Sequence, residues 1–576
     1  MGTFATYFTH GLWYGKESTI EEFRGILSQF SRDPTVYLCS AISAILKCWQ
    51  GGAPDVQAHA HLVHNFFEPA EAERLVLGSR NKNEPHFVFH RQQLLFLAKE
   101  AILHCPATGV DPLVQRPGPV GTLFLMANDH LHYGFPETDN SEQKLLNTLT
   151  ELVAVGEYSG HRAFRNTIAR AHLMYSRFSD ELQADSDYVD LRGRFGSLVG
   201  MAFDEFQGLC FALLWKYFNV NIESYSKDPN TFFVQQSYFA QTAISVEKVD
   251  KLVDELSATP DSFKKVFEGR LKGKNDFTLF RSKPLCFVSD RLFCIDVGLL
   301  AEKLESGPFW RVHFSLSTDD EKNALHRFWG KLFERYMNWM LTESIGNNRF
   351  NTLYPNPKYH DGTEVCDAII LCGSAAVFIE YKGATFTAAA KYSGDPSRLG
   401  NEVERNLIQN ECGRRKGIGQ LAEAIRRTCQ RENPEEIVGL KLSGVRTIYP
   451  VLITRDGIGD AFIMNALLNV KFNAVPTLSF KTVRPKRLTP LFCMAAETIE
   501  QIAPYLQDAS LSDIINGRYK GRRSVGASFF AIANPVLQQI GERENRILSA
   551  AFHEFTEPLT KALFPNEYER ENRTPG

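Results

Sequence analysis

The chain has 576 residues, 44% of them hydrophobic and 23% charged, with a formal net charge of −3. That length is too great for one compact core, and the apolar and aromatic content excludes a disordered or fibrous chain. The near-neutral balance excludes nucleic-acid binding through bulk charge, so any such surface has to be local.

In chain order, the N-terminus lacks the basic and apolar stretches of a secretory signal. No apolar run approaches the roughly 20 residues that span a bilayer. The eleven cysteines are scattered without a CxxC pair, which suits reduced thiols. Together these lead us to expect a cytoplasmic protein with no membrane partner. Residues 1–275 read as mainly helical, because Thr35–Trp49, Arg91–His104 and Arg194–Phe218 carry apolar residues at helical spacing. Two histidine clusters lie in this region, His59, His61 and His64, then His130 and His132. Neither has cysteine neighbours or an HExxH arrangement, so no zinc site is expected. No GxxxxGK[ST] motif is present, which excludes a P-loop motor.

The pattern changes near residue 275. Lys283–Val297 reads as two short strands around a Ser289-Asp290 turn. A long helix follows over Asp320–Glu343. After it come strands at Val365–Leu371 and Ala375–Lys382, a polar insert at Gly383–Gly413, a helix at Gly417–Gln430 and a strand at Val445–Thr454. This order predicts an α/β core, a mixed sheet flanked by helices, following a large α-helical region. The expected division is 1–275, 276–505 and a helical tail over 506–576.

The chemistry concentrates on the two consecutive strands. If Gly373-Ser374 form a two-residue hairpin turn, Asp367 faces Glu380 across the pair, and Lys382 shares a face with Glu380. Two carboxylates side by side at the end of apolar strands need a neutralising partner. A divalent cation such as Mg²⁺ takes carboxylate oxygens and substrate phosphate together.

Asp367 followed by Glu380-Tyr381-Lys382 resembles the PD-(D/E)xK, or restriction-endonuclease-like, nuclease superfamily over residues 280–480. The resemblance extends to a preceding helix carrying Glu334 and a following helix carrying Gln420. The proline often found before the aspartate is replaced by Cys366. The resemblance implies Mg²⁺- or Mn²⁺-dependent hydrolysis of nucleic-acid phosphodiesters, most often in DNA. Asp367, Glu380 and Glu334 would hold the metal, Lys382 would serve the attacking water, and Gln420 would position the lysine or substrate.

Between Lys382 and Arg431, ten Lys/Arg stand against five acids, a local excess of +5. Lys391, Tyr392, Arg414, Arg415 and Lys416 are the expected nucleic-acid contacts, since backbone phosphates supply most sequence-independent affinity. A second basic cluster comprises Lys481, Arg484, Lys486 and Arg487, then Arg518, Lys520, Arg522 and Arg523. The helical region would serve sensing, oligomerisation or a partner protein. A nuclease core joined to such a region resembles antiphage defence effectors in organisation. The competing readings are a nucleic-acid-binding or scaffold protein with an inactive nuclease fold, and an unrelated enzyme with its site in residues 1–275.

Overall fold

The computed structural model describes residues 6–50, 54–81, 85–114, 117–131, 141–159, 163–234, 236–239, 244–270, 273–288, 291–409, 413–430, 434–461, 463–475, 487–516, 537, 539–541 and 543–563. The expected helices form at Arg32–Ile45 and Arg91–His104. The third splits into Leu191–Val199 and Phe203–Phe218, because Gly200 takes φ +75 and closes the first segment with a left-handed cap. Later helices that position the site begin with α1 (Glu142–Ser159), α2 (Phe164–Leu173) and α3 (Gly307–Ser315). The longest is α4 (Asp319–Ile345). Thr318 caps α4 in a reciprocal arrangement with Glu321, and three acids in its first turn suit the positive end of the helix dipole. Leu325, Phe328, Leu332 and Tyr336 on one side are buried, and so are Met337 and Leu341 on the other. Thus α4 is packed on two sides.

The strands Leu285–Val288 and Arg291–Cys294 form the expected antiparallel pair, with the Ser289-Asp290 turn outside the described residues. They do not join the main sheet. They pair with Ser257–Ala258 in a separate small sheet, so residue 276 opens no structural unit.

The main sheet has six strands among the described residues: β1 (Thr352–Pro355), β2 (Ala368–Cys372), β3 (Ala375–Lys382), β4 (Thr447–Thr454), β5 (Arg487–Leu488) and β6 (Phe492–Ala495). Their order is β5-β4-β3-β2-β1, with β6 beside the second half of β4. β1, β2 and β3 are antiparallel neighbours, whereas β3 and β4 run parallel. Parallel neighbours need a crossover, which α5 (Gly417–Cys429) supplies. A further helix, α6 (Ala496–Ile502), follows β6 directly. This is the expected mixed sheet flanked by helices.

Both sheet faces are covered, which explains the near-continuous apolar run of β3. Val377, Ile379 and Tyr381 join a core that runs from Phe8 to Phe555, while Ala376 and Phe378 join a second core with Ile418, Leu421 and Ile425 of α5. The helical region feeds both, because Leu145, Leu149 and Val153 of α1 lie in the second core. Packing is therefore continuous across residue 275. The C-terminal segment is not a free tail either. Its helix Arg546–Leu563 packs on α2 and places Leu548, Ala551 and Phe555 in the large core. Nor is Gly383–Gly413 an extended polar insert. It carries helices at Ala388–Lys391 and Pro396–Val403 and buries Leu399, Val403 and Leu407. Among the described residues no single helix is long and apolar enough to cross a membrane.

Candidate metal centre

The hairpin register follows the expected count: Cys372 pairs Ala375 across the turn and Ala368 pairs Ile379 at the far end. Gly373 takes φ +59, which a tight hairpin requires at its first loop position and which favours glycine. Asp367 lies one residue beyond β2. Its Oδ2 accepts the Tyr381 backbone N–H at 2.5 Å, and its carbonyl accepts from Asn356 at 2.9 Å. The carboxylate is thus held at the end of β3, level with Glu380 and Lys382.

Two features bring α4 to this point. Gly330 and Gly383 permit close approach, since a Cβ built on Gly383 would lie 3.0 Å from the Gly330 Cα. One turn beyond Glu334, Asn338 accepts from the Tyr381 hydroxyl at 3.1 Å and donates to Asn356 at 2.9 Å. Glu334 therefore faces Asp367 on the side of α4 away from its main apolar stripe.

Carboxylate oxygens of Glu334, Glu364 and Asp367 lie within 4.8 Å of one another. Glu364 was not among the expected ligands. It stands three residues before Asp367 in irregular backbone, held by the Val365 N–H bonding the Pro357 carbonyl at 2.8 Å, so strand alternation gives it no face. Burial pushes the Glu334 carboxyl up to about 7, helped by the charges of Asp367 and Glu364. Glu364 stands on the exposed side of the cluster, where partial desolvation raises it and Asp367 adds to it. Asp367 is raised by burial too, against the pull of Lys382 and the Tyr381 N–H. No ion pair among the described residues closes on these three. A hard divalent cation suits the donor set. Oxygens sharing one Mg²⁺ lie roughly 3–4 Å apart at metal–oxygen distances of about 2.1 Å, within reach of small side-chain rotations.

Glu380 departs from its expected role. Its carboxylate is outside the three-acid cluster and pairs with Lys382 Nζ at 2.6 Å, in a setting where Glu380 is 2% exposed. Burial raises the Glu380 carboxyl, with Lys382 pulling it down and Asp367 pushing it up again. Burial works against the Lys382 charge, but Glu380 and Asp367 outweigh it and hold the ammonium above its ordinary value. Lys382 is thus a fixed cation beside the acid cluster.

A cavity of about 210 Å³ opens here, lined by Tyr359, Glu364, Asp367, Glu380, Arg415 and Gln420 among others. Gln420 uses its side-chain carbonyl to accept the Gly417 N–H at 2.9 Å, which leaves its amide nitrogen for a ligand. Arg415 is half exposed and pairs with Glu423 at 2.8 Å. Arg414 is exposed and Lys416 half-buried, both on the segment entering α5.

Lys391 and Tyr392 do not fit the expected nucleic-acid surface. Both are buried, with Lys391 Nζ 3.1 Å from Glu157 and 3.5 Å from Asp456, and the Tyr392 hydroxyl bonded to Glu157 and Arg281. The insert folds inward because Glu157 of α1 neutralises it there. In the second basic cluster only Arg487 is described; Lys481, Arg484, Lys486, Arg518, Lys520, Arg522 and Arg523 lie outside the described residues.

The helical region contains its own cavity, about 340 Å³, lined by Tyr7, Cys48, Asp55, His90, Arg91 and Tyr158 among others. Its one lining carboxylate among the described residues, Asp55, caps a helix through the Ala58 N–H at 2.8 Å. Of the histidine clusters, His59 is buried and accepts the Val88 N–H at 3.0 Å, while His132 lies outside the described residues. No protein-family model, curated protein or solved structure matches the chain.

Proposed function

We propose that this chain is a Mg²⁺- or Mn²⁺-dependent nuclease of the PD-(D/E)xK type, cutting phosphodiester bonds within nucleic acid, with DNA the expected substrate. The observation that supports the reading is the cluster of Glu334, Glu364 and Asp367, on which no ion pair among the described residues closes, at the end of a buried strand and beside a fixed ammonium. These three acids would hold the ion, and Glu380 acts through Lys382 instead of binding metal. A bound Mg²⁺ or Mn²⁺ supplies charge to a phosphoryl oxygen and lowers the pKa of a bound water.

The chain's own groups account for the remaining requirements. Lys382, kept protonated by Glu380, donates to the attacking water or to the non-bridging phosphoryl oxygen as negative charge grows. Asp367 is fixed by the Tyr381 N–H, so its free oxygen has a defined direction. The Gln420 amide and the half-exposed Arg415 line the cavity where the scissile phosphate enters. A defence role, with the helical region sensing a trigger or partner, extends the same proposal by its organisation.

The test is cleavage of plasmid and single-stranded DNA with Mg²⁺, Mn²⁺ or EDTA, comparing the unaltered chain with Asp367→Asn and Lys382→Ala. Metal-dependent cleavage lost in both variants supports the reading. Cleavage that survives both places the chemistry elsewhere. If no metal yields cleavage of any substrate, the inactive-scaffold reading takes its place.

A further inference from the structure

Glu334 is bracketed on α4 by two contacts with the end of β3. Four residues before it, Gly330 lies against Gly383, the residue after Lys382. Four residues after it, Asn338 meets Tyr381, the residue before Lys382. Positions four apart on a helix are separated by about 6 Å along the axis and about 40° around it. Gly330, Glu334 and Asn338 therefore share one face, with the carboxylate between the two attachments.

The attachments differ in kind. At Gly330 backbone lies close to backbone, which brings the elements together without a directional bond. Asn338 supplies the direction. It is 7% exposed, and both ends of its amide are used. Its Oδ1 accepts from the Tyr381 hydroxyl at 3.1 Å, and its Nδ2 donates to Asn356 Oδ1 at 2.9 Å. Phe333, also on α4, lies edge-on to the Tyr381 ring at 6.4 Å between centroids and keeps that ring against the helix.

Buried amides are normally bonded, and that alone implies stability and nothing more. What distinguishes Asn338 is where its two bonds end, because both partners hold Asp367. The Tyr381 N–H donates to Asp367 Oδ2 at 2.5 Å, and the Asn356 N–H donates to the Asp367 carbonyl oxygen at 2.9 Å. Asn356 follows β1 and takes φ +47, a left-handed conformation that asparagine adopts more readily than most residues. Its side-chain bond to Asn338 secures that turn. One amide thus ties the helix that carries Glu334 to both supports of Asp367.

We infer that Asn338 is a positioning residue, holding Glu334 against Asp367 and raising the preference of this site for Mg²⁺ relative to Ca²⁺; this rests on the reading of the acids as metal ligands. Mg²⁺ demands near-octahedral geometry, whereas Ca²⁺ accepts a larger and more flexible oxygen shell. A rigid pair of ligands therefore favours the smaller ion, and loosening the pair costs that ion more.

The experiment is calorimetric titration of Mg²⁺, and separately of Ca²⁺, into the metal-free full chain and its variants. Asn338→Ala should weaken Mg²⁺ binding about tenfold or more, the range for losing a partner of a metal ligand, and weaken Ca²⁺ binding by a smaller factor. Tyr381→Phe removes the hydroxyl but keeps the N–H on Asp367, and should shift the ratio in the same direction by less. The double variant should bind Mg²⁺ no more weakly than Asn338→Ala, because the hydroxyl acts through Asn338. Melting in EDTA reports whether each variant folds, and Tyr381→Phe carries the test if Asn338→Ala does not. An unchanged Mg²⁺ affinity, or equal losses for the two ions, overturns the inference and leaves Asn338 a purely structural residue. An unaltered chain that binds neither ion overturns it together with the metal centre. The expected shift in ion preference, with no cleavage of any nucleic acid, retains the positioning role and overturns the nuclease.

Discussion

Helix α4 separates two carboxylate clusters with opposite neighbours. On one side Glu305, Glu497 and Glu500 gather around Arg170, at 2.8, 3.5 and 2.6 Å, and the Tyr336 hydroxyl donates to Glu500 at 2.6 Å. On the other side, two residues earlier in the helix, Glu334 meets Glu364 and Asp367 with no arginine between them. Glu500 and Glu334 are each raised to about 7, and burial is the first cause in both. The second cause separates them: Arg170 pulls Glu500 down, whereas Asp367 pushes Glu334 up. A raised carboxyl therefore does not by itself distinguish a structural joint from a site; the sign of the neighbouring charge does. The first cluster ties α2 of the helical region to α4 and α6 of the sheet region. The second brings three carboxyls together with Lys382 as their neighbouring cation, and their charged forms gain further when a divalent cation arrives.

The largest expected effect breaks the second cluster. Asp367→Asn should lower the cleavage rate at least about a thousandfold, on the order of 4 kcal/mol of transition-state stabilisation. In metal-free buffer its urea midpoint should stay close to that of the unaltered chain, because relief from burying a carboxylate charge offsets the lost attraction to Lys382. Next is the first cluster, where Arg170→Met should cost about 3–5 kcal/mol in urea unfolding, since it strands the fully buried Glu500. The double variant Arg170→Met with Glu500→Leu should recover much of that loss. An Arg170→Met protein as stable as the original would remove the joint from the comparison.

Much of the second cluster was legible in the sequence, and almost none of the first. Asp367 adjoins β2, and its neighbours Glu380 and Lys382 lie on β3 across a two-residue turn, where alternation and register are local rules. Glu334 was legible as a position on α4, but which way it faced depended on Asn338 and on the Gly330–Gly383 approach. Glu364 was illegible because the backbone before β2 is irregular and held by Pro357 and Asn356. Lys391 shows the converse. Its basic context suggested surface, while its partner Glu157 comes from α1, more than two hundred residues away in the chain. Arg170 and Glu500 are similarly remote, so no sequence window contains that joint.

A smaller effect separates Glu364 from Glu380. Mn²⁺ at about a hundred times its dissociation constant should stabilise the protein by about 2.7 kcal/mol. Glu364→Gln should remove most of that gain. Glu380→Gln should retain more of it while losing cleavage, because Lys382 loses the partner that fixes it. If Glu380→Gln abolishes Mn²⁺ stabilisation and Glu364→Gln does not, the ligand set expected from the family resemblance is the correct one.

The smallest effect concerns pH and returns to the two carboxyls near 7. Glu334 rises from an ordinary value of 4.5 to about 7 on folding. Between those values the folded chain keeps a proton that the unfolded chain releases, so metal-free stability falls as pH rises through this window. With solvent screening, Glu334 contributes on the order of 1–2 kcal/mol to that fall. Glu500 contributes in the same direction through its own raised carboxyl. Saturating Mg²⁺ should cancel the Glu334 part, since a bound cation favours its charged form, and should leave the Glu500 part in place. Urea midpoints at pH 5 and pH 8, with and without Mg²⁺, measure both. A metal-sensitive slope that persists in Glu334→Gln would mean that the cation binds away from this cluster.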